Sequence, residues 1–267
     1  MLYKIFCFLR RDFLIQSSYK TSYLLGWLRN LFTLFPFFFI AKLLGKGLPV
    51  LAESGGDYFS FVLIGIMMRQ FLGQSLNAFS QSFFSEQAGG TLEAMLLTPT
   101  HLPFLFVMIS LWDLALSLSS IALYIVFGVC LFGVHLSWSS LPATFLILLV
   151  STVVFYSLGI LSTSVLLIFK KGNPFDLLFG GLSSLLGGVY FPISLLPDWM
   201  EKFSLCLPIT HALKALRLSL LQGASLQQVT SEILLLGGMA FLFFPLSLLS
   251  FRWALRRAKQ DGSLVHY

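Results

Sequence analysis

Apolar residues run through this chain in long, nearly unbroken blocks separated by short polar breaks. A helix that crosses a bilayer needs roughly 20 apolar residues. Six blocks reach that length, at about 22–44, 58–82, 102–132, 142–169, 175–195 and 232–253. The blocks are continuous and do not alternate over about ten residues, which predicts helices and not the strands of a barrel. Residues 1–20 read differently, mixing Phe, Leu and Ile with Lys4, Arg10, Arg11 and Lys20. That pattern fits a helix lying in the cytoplasmic interface, with a solvated tail as the alternative. Residues 191–223 are too apolar for an open loop and too interrupted, by Pro192, Pro197 and Pro208, for one span. They predict two short helices dipping into the outer leaflet, with Pro197 and Pro208 in first turns and Gly223 as a stop. The expected fold is an all-α integral membrane protein of six transmembrane helices, forming a single domain over residues 1–267.

Composition strengthens this reading. Hydrophobic types make up 57% of the 267 residues and charged types 10%, against about 25% charged in soluble domains. The mean hydropathy is +0.88. Cys7, Cys130 and Cys206 lie far apart, without metal or redox spacing, and read as small packing residues. The net charge of +6 reflects cytoplasmic loop charge and not a nucleic-acid partner. With six spans both termini share a side, and that side holds ten Lys and Arg in its loops against five on the other. Both termini are therefore expected in the cytoplasm. No cleavable signal peptide is expected, because no small-residue cleavage site follows the first apolar run.

Three charges fall inside spans, where charge is costly and faces protein or water. Arg29 sits about one third into the first span and can snorkel to the interface. Arg69 and Asp113 each lie about 11 residues from the cytoplasmic ends of their spans, ~16 Å deep. Adjacent antiparallel helices would put them level, so an Arg69–Asp113 ion pair is expected, serving structure or gating. In the fifth span Gly180, Ser184 and Gly188 recur every four residues, a small-residue face for close helix approach within one subunit or between two. His211, Lys214 and Arg217 recur every three residues near the outer side. They read as an exit-side basic rim for anionic lipid or substrate, or as ordinary interfacial snorkelling.

No phosphate loop GxxxxGK[ST], HExxH, CxxC or GxSxG occurs, the four histidines are scattered, and the few acids are not paired. No metal site, cofactor or catalytic residue is expected in this chain. That leaves transport, channel or scaffold functions.

One polar interruption remains. Residues 89–99 read GGTLEAMLLTP, between the second and third spans and with no basic residue to set topology. The glycines free the chain to turn into a short helix, and Pro99 discourages its continuation. Glu93 near the start suits the helix dipole. Leu92, Met95 and Leu96 form an apolar knob. By itself this is an amphipathic helix lying on the membrane.

The wider stretch SEQAGGTLEAMLLTP, residues 85–99, resembles the coupling region of membrane permeases of the type 2 ATP-binding cassette exporters. Glu86, Gly90, Thr91, Leu92, Glu93, Thr98 and Pro99 match in place. A basic residue often follows the first acid in that family, where this chain has Gln87. Residues 187–223 resemble the family's late segment through Gly188, Phe191-Pro192, Leu196-Pro197, Trp199, Pro208, Arg217 and Gly223. The resemblance implies a permease that forms the translocation pathway as a dimer, homodimer expected over heterodimer, with the first and fifth spans near the interface. It implies two separate ATPase subunits holding ATP and Mg, docked at residues 85–99 through Glu86, Gly90, Thr91, Leu92, Glu93, Met95, Leu96 and Pro99. An amphipathic cargo, a drug, lipid or glycolipid, and a prokaryotic plasma (inner) membrane go with it. The alternative is an ion-coupled carrier or channel using Arg69 and Asp113. A third reading is a membrane-embedded assembly factor.

Overall fold

The computed structural model describes residues 2–18, 20–45, 57–91, 102–169 and 174–260. Among them every regular element is helical. The α-helices in chain order are α1 (Leu2–Ser18), α2 (Lys20–Leu44), α3 (Tyr58–Ala88), α4 (Leu102–Cys130), α5 (Leu141–Phe169), α6 (Pro174–Leu186), α7 (Asp198–Ser204), α8 (Pro208–Gln222) and α9 (Leu226–Gln260), with short 3-10 turns at Trp138–Ser140 and Ile193–Leu195. Helices satisfy the backbone within each segment, as an apolar surrounding demands.

The bundle is built around α3. Asp57 caps its first turn, its carboxylate accepting from the Ser60 amide at 3.2 Å and the Ser60 hydroxyl at 2.8 Å. Its side chains are buried along most of its length from Phe59 to Phe83, and α2, α4, α5, α6 and α8 all pack on it. Phe61, Met67, Phe71, Tyr124, Phe155 and Leu216 belong to the main core. Where α5 crosses α3, Gly159 lies against the Ser75 carbonyl, and a Cβ there would collide with it. Small residues at such crossings let two helix backbones approach. A second cluster gathers Phe79, Phe83, Leu167, Phe251 and Leu255, with Phe8 of α1 against it. It places α1 and the far ends of α3, α5 and α9 at one end of the bundle.

Five described helices are long and apolar enough to cross a membrane, or six if the bent pair α7–α8 counts as one span. The fifth expected span is the exception. Helix α6 has 13 residues, ~20 Å of rise, short of a ~30 Å hydrocarbon core. The apolar run does continue beyond Leu186, but Gly188 takes φ +73° and the backbone leaves the helix. Helices α7 and α8 are the two short helices expected from the prolines, meeting at 85°. Pro208 opens α8, and Gly223 ends it at φ 68°, with the Gly223 and Ala224 amides bonded back to Ser219 and Leu218. Helix α8 is packed inside the bundle and does not lie loosely on its surface. Ile209, Ala212, Leu213, Ala215 and Leu216 are fully buried, and α8 packs against α3, α5 and α9.

Candidate functional site

The chain leaves α3 through a short, tightly held exit. The Gly89 amide donates to the Ser85 carbonyl at 2.9 Å and the Gly90 amide to the Gln87 carbonyl at 3.1 Å. Gly90 sits at φ +69°, where any side chain would be strained. On the last turn of α3 the Glu86 carboxylate is buried and points two ways. One oxygen receives the Arg11 guanidinium of α1 at 2.9 Å. The other accepts from the Thr91 hydroxyl, which also bonds the Glu86 carbonyl at 3.2 Å. Arg11 bonds Asp12 at 2.8 Å as well. Burial alone would lower the Arg11 pKa, but Asp12 and Glu86 together hold it above the ordinary value. Burial likewise pushes the Asp12 carboxyl up, against the opposing pull of Arg11. Glu86, Gly90 and Thr91 belong to the stretch that resembles the family's coupling region, with Gln87 where that family often has a basic residue. A cation for Glu86 comes instead from α1, and local sequence around Glu86 gives no sign of it because Arg11 is far away along the chain. Leu92, Glu93, Met95, Leu96 and Pro99 lie outside the described residues.

Further along the same helix, α3 borders a polar cavity of 620 Å³ shared with α2, α4 and α6. Gln70, Gln74, Asn77 and Gln81 line it from α3, with Arg29, Arg69, Asp113 and Asp176 as its charged members. Asn77 donates to Asp176 at 3.3 Å and to the Gly73 carbonyl at 3.0 Å. The Gln74 side-chain oxygen is buried with no hydrogen-bond partner. Such an oxygen calls for a donor from a ligand or water.

Arg69 and Asp113 both border this cavity, but they do not pair. Arg69 Nε donates to Ser184 of α6 at 2.6 Å. Asp113 accepts from Ser82 at 2.9 Å. Ser82, and not Arg69, is thus level with Asp113, about 13 residues or ~20 Å further along α3. Counting depth from the end of an apolar block misjudged the register, because α3 runs on as a helix to Ala88.

The small-residue face is only partly formed. Gly180 and Ser184 lie on one side of α6, where the Ser184 hydroxyl bonds the Gly180 carbonyl at 2.7 Å and receives Arg69. Gly188 lies beyond the helix in its left-handed bend, so the three residues do not share a helical face.

The three basic residues do not form an exposed rim, because two of them are turned into the bundle. His211 and Arg217 are buried. Glu232 of α9 takes His211 Nδ1 on one oxygen at 2.7 Å and Lys214 Nζ on the other at 2.6 Å. Arg217 lies over the Phe61 ring, 3.4 Å from its centroid. The three-residue spacing did put these groups on one side of α8, where His211 and Arg217 are buried while Lys214 stays 62% exposed.

Residues 3–221 match the family model described as ABC-2 type transporter. No curated relative matches the chain significantly. The family match takes in α1 and nearly all of α8, and so includes the Glu86 exit and the polar cavity. Together with several helices able to cross a membrane, it makes this chain a membrane-spanning permease subunit belonging to the ABC-2 type transporter family.

Proposed function

We propose that this permease is the pathway-forming half of an ATP-driven exporter, working as a dimer and driven by separate ATPase subunits docked at residues 85–99. The observation that carries the reading is the continuity of α3. One unbroken helix, Tyr58–Ala88, borders the polar cavity and also carries Glu86 at the exit to the docking segment. Force applied near Thr91 would reach the cavity through a packed rod and not through a flexible loop. The Arg11–Glu86 contact would transmit the same movement to α1. ATP and Mg belong to the partner, and this chain supplies no catalytic residue. The ATPase end is the cytoplasmic one, with α1 and the end of α9 beside it, in a plasma (inner) membrane of prokaryotic type.

The cavity suits the polar half of an amphipathic cargo, since it offers amide and hydroxyl groups and charges of both signs. The exposed phenylalanines and leucines of α2 suit the apolar half, as they suit lipid. A homodimer supplies two such cavities. The test is ATP hydrolysis by the reconstituted complex. Glu93→Ala or Gly90→Val should lower transport-coupled ATPase activity at least several-fold while membrane insertion is unchanged. Normal coupling in both variants would count against docking here. Flux driven by a proton or sodium gradient without any ATPase would favour an ion-coupled carrier using the charges of the same cavity.

A further inference from the structure

Arg217 is a buried cation with no carboxylate. Its Nη2 donates to the Phe61 carbonyl at 3.1 Å and the Val189 carbonyl at 3.3 Å. Its Nε is buried and has no hydrogen-bond partner. Among the described residues the ion pairs are Arg11 with Asp12 and Glu86, and Glu232 with His211 and Lys214, and none includes Arg217. Carbonyls and an aromatic face carry partial charges only. A buried guanidinium held by these alone is poorly compensated.

The side chain borders a cavity of 470 Å³ at the end of the bundle away from Glu86. Phe61, Ile193 and Leu218 give it apolar wall, and His211, Lys214 and Glu201 bring the other charges. The Leu205 carbonyl only accepts, so His211 Nε2, at 2.9 Å, must donate to it. His211 Nδ1 and Glu232 share a proton across 2.7 Å, and Lys214 stands 2.6 Å from the other oxygen. Wherever the shared proton rests, His211, Glu232 and Lys214 together carry one positive charge. With Glu201 counted as one negative and Arg217 as one positive charge, these groups sum to one net positive charge.

We infer that this cavity binds one oxyanion, held by the Arg217 guanidinium, with Phe61, Ile193 and Leu218 beside it to receive an apolar tail where the ligand has one. The guanidinium fork fits phosphate or carboxylate oxygens. The site is separate from the polar cavity at α6 and does not depend on ATP-driven export. Two sources share this chemistry, a lipid headgroup and a free oxyanion such as inorganic phosphate.

The test uses the full chain, delipidated in a nonionic detergent, with thermal unfolding as readout, because a ligand bound to the native state raises Tm. The probes are dihexanoyl phosphatidylglycerol, uncharged dihexanoylglycerol and inorganic phosphate. A concentration-dependent rise with the phosphatidylglycerol alone supports a lipid headgroup. A rise with phosphate, with or without one from the phosphatidylglycerol, supports a free oxyanion. No rise with either, or an equal rise with dihexanoylglycerol, overturns the inference. Arg217→Met should abolish the response. Should that variant fail to fold, Ser194→Glu decides, because it keeps Arg217 and puts a carboxylate on the cavity wall. It is expected to fold and to weaken the response about tenfold or more. An undiminished response in Ser194→Glu would overturn the site.

Discussion

Replacing Glu86 with Gln removes the charge that meets Arg11 while leaving an oxygen for the Thr91 hydroxyl. Arg11 is partly exposed, so the loss should be modest, about 1 kcal/mol or less. A double-mutant cycle with Arg11→Met checks the pairing by thermal unfolding. The double variant should cost no more than the larger single change, and full additivity would contradict the contact. A second prediction concerns the intramembrane charges. Because Arg69 bonds Ser184 and Asp113 bonds Ser82, the reversal Arg69→Asp with Asp113→Arg should recover no more membrane expression than either change alone. Rescue in the double variant would restore the ion pair that equal depth in the sequence suggested. At this scale the sequence revealed which residues were unusual and not whom they met. Arg69, Asp113, Glu86 and Arg217 all stood out as polar groups in apolar or patterned surroundings. Their partners, Ser184, Ser82, Arg11 and the Phe61 carbonyl, lie on other helices, and spacing along one helix is blind to them.

Helix lengths were more readable than helix faces. The apolar blocks located α2, α4 and α5 to within a few residues, because bilayer-length hydrophobicity is a strong signal. The block at 175–195 misled, because apolar residues continue through Gly188 after the helical backbone has stopped. Helix α8 shows the same limit in another form. Its prolines and Gly223 marked its ends correctly, while its basic side gave no sign that Glu232 waits on α9 to receive it. The α3–α5 crossing offers the sharpest test of helix packing. Gly159→Ala would push a methyl into the Ser75 carbonyl and should destabilise by about 1–3 kcal/mol. Gly238→Ala on α9 meets nothing within 4 Å and should change stability by less than about 1 kcal/mol. Thermal unfolding of the two variants in detergent measures the contrast. Equal effects would mean that α3 and α5 do not approach as described.

Across the molecule, burial is graded in a way that suits a membrane. The apolar window of α3 is 78% buried, while those of α2 and α9 are each 11% buried. Phe32, Phe39 and Leu43 on α2, and Phe241, Leu242 and Leu249 on α9, face outward. Such surfaces call for lipid or a second subunit. Both the Glu86 exit and the polar cavity are hung on the best-packed helix, and the proposed mechanism depends on that arrangement. Its central claim is that an external ATPase drives the chain through residues 85–99. The direct measurement is a mild-detergent pull-down of the tagged chain from its native host, with the partners identified by mass spectrometry. The account predicts an ATPase bearing a phosphate loop, in near-equal amount, that is lost when residues 89–97 are replaced. A stable, inserted chain that brings down no ATPase, or that keeps one after the replacement, would contradict it.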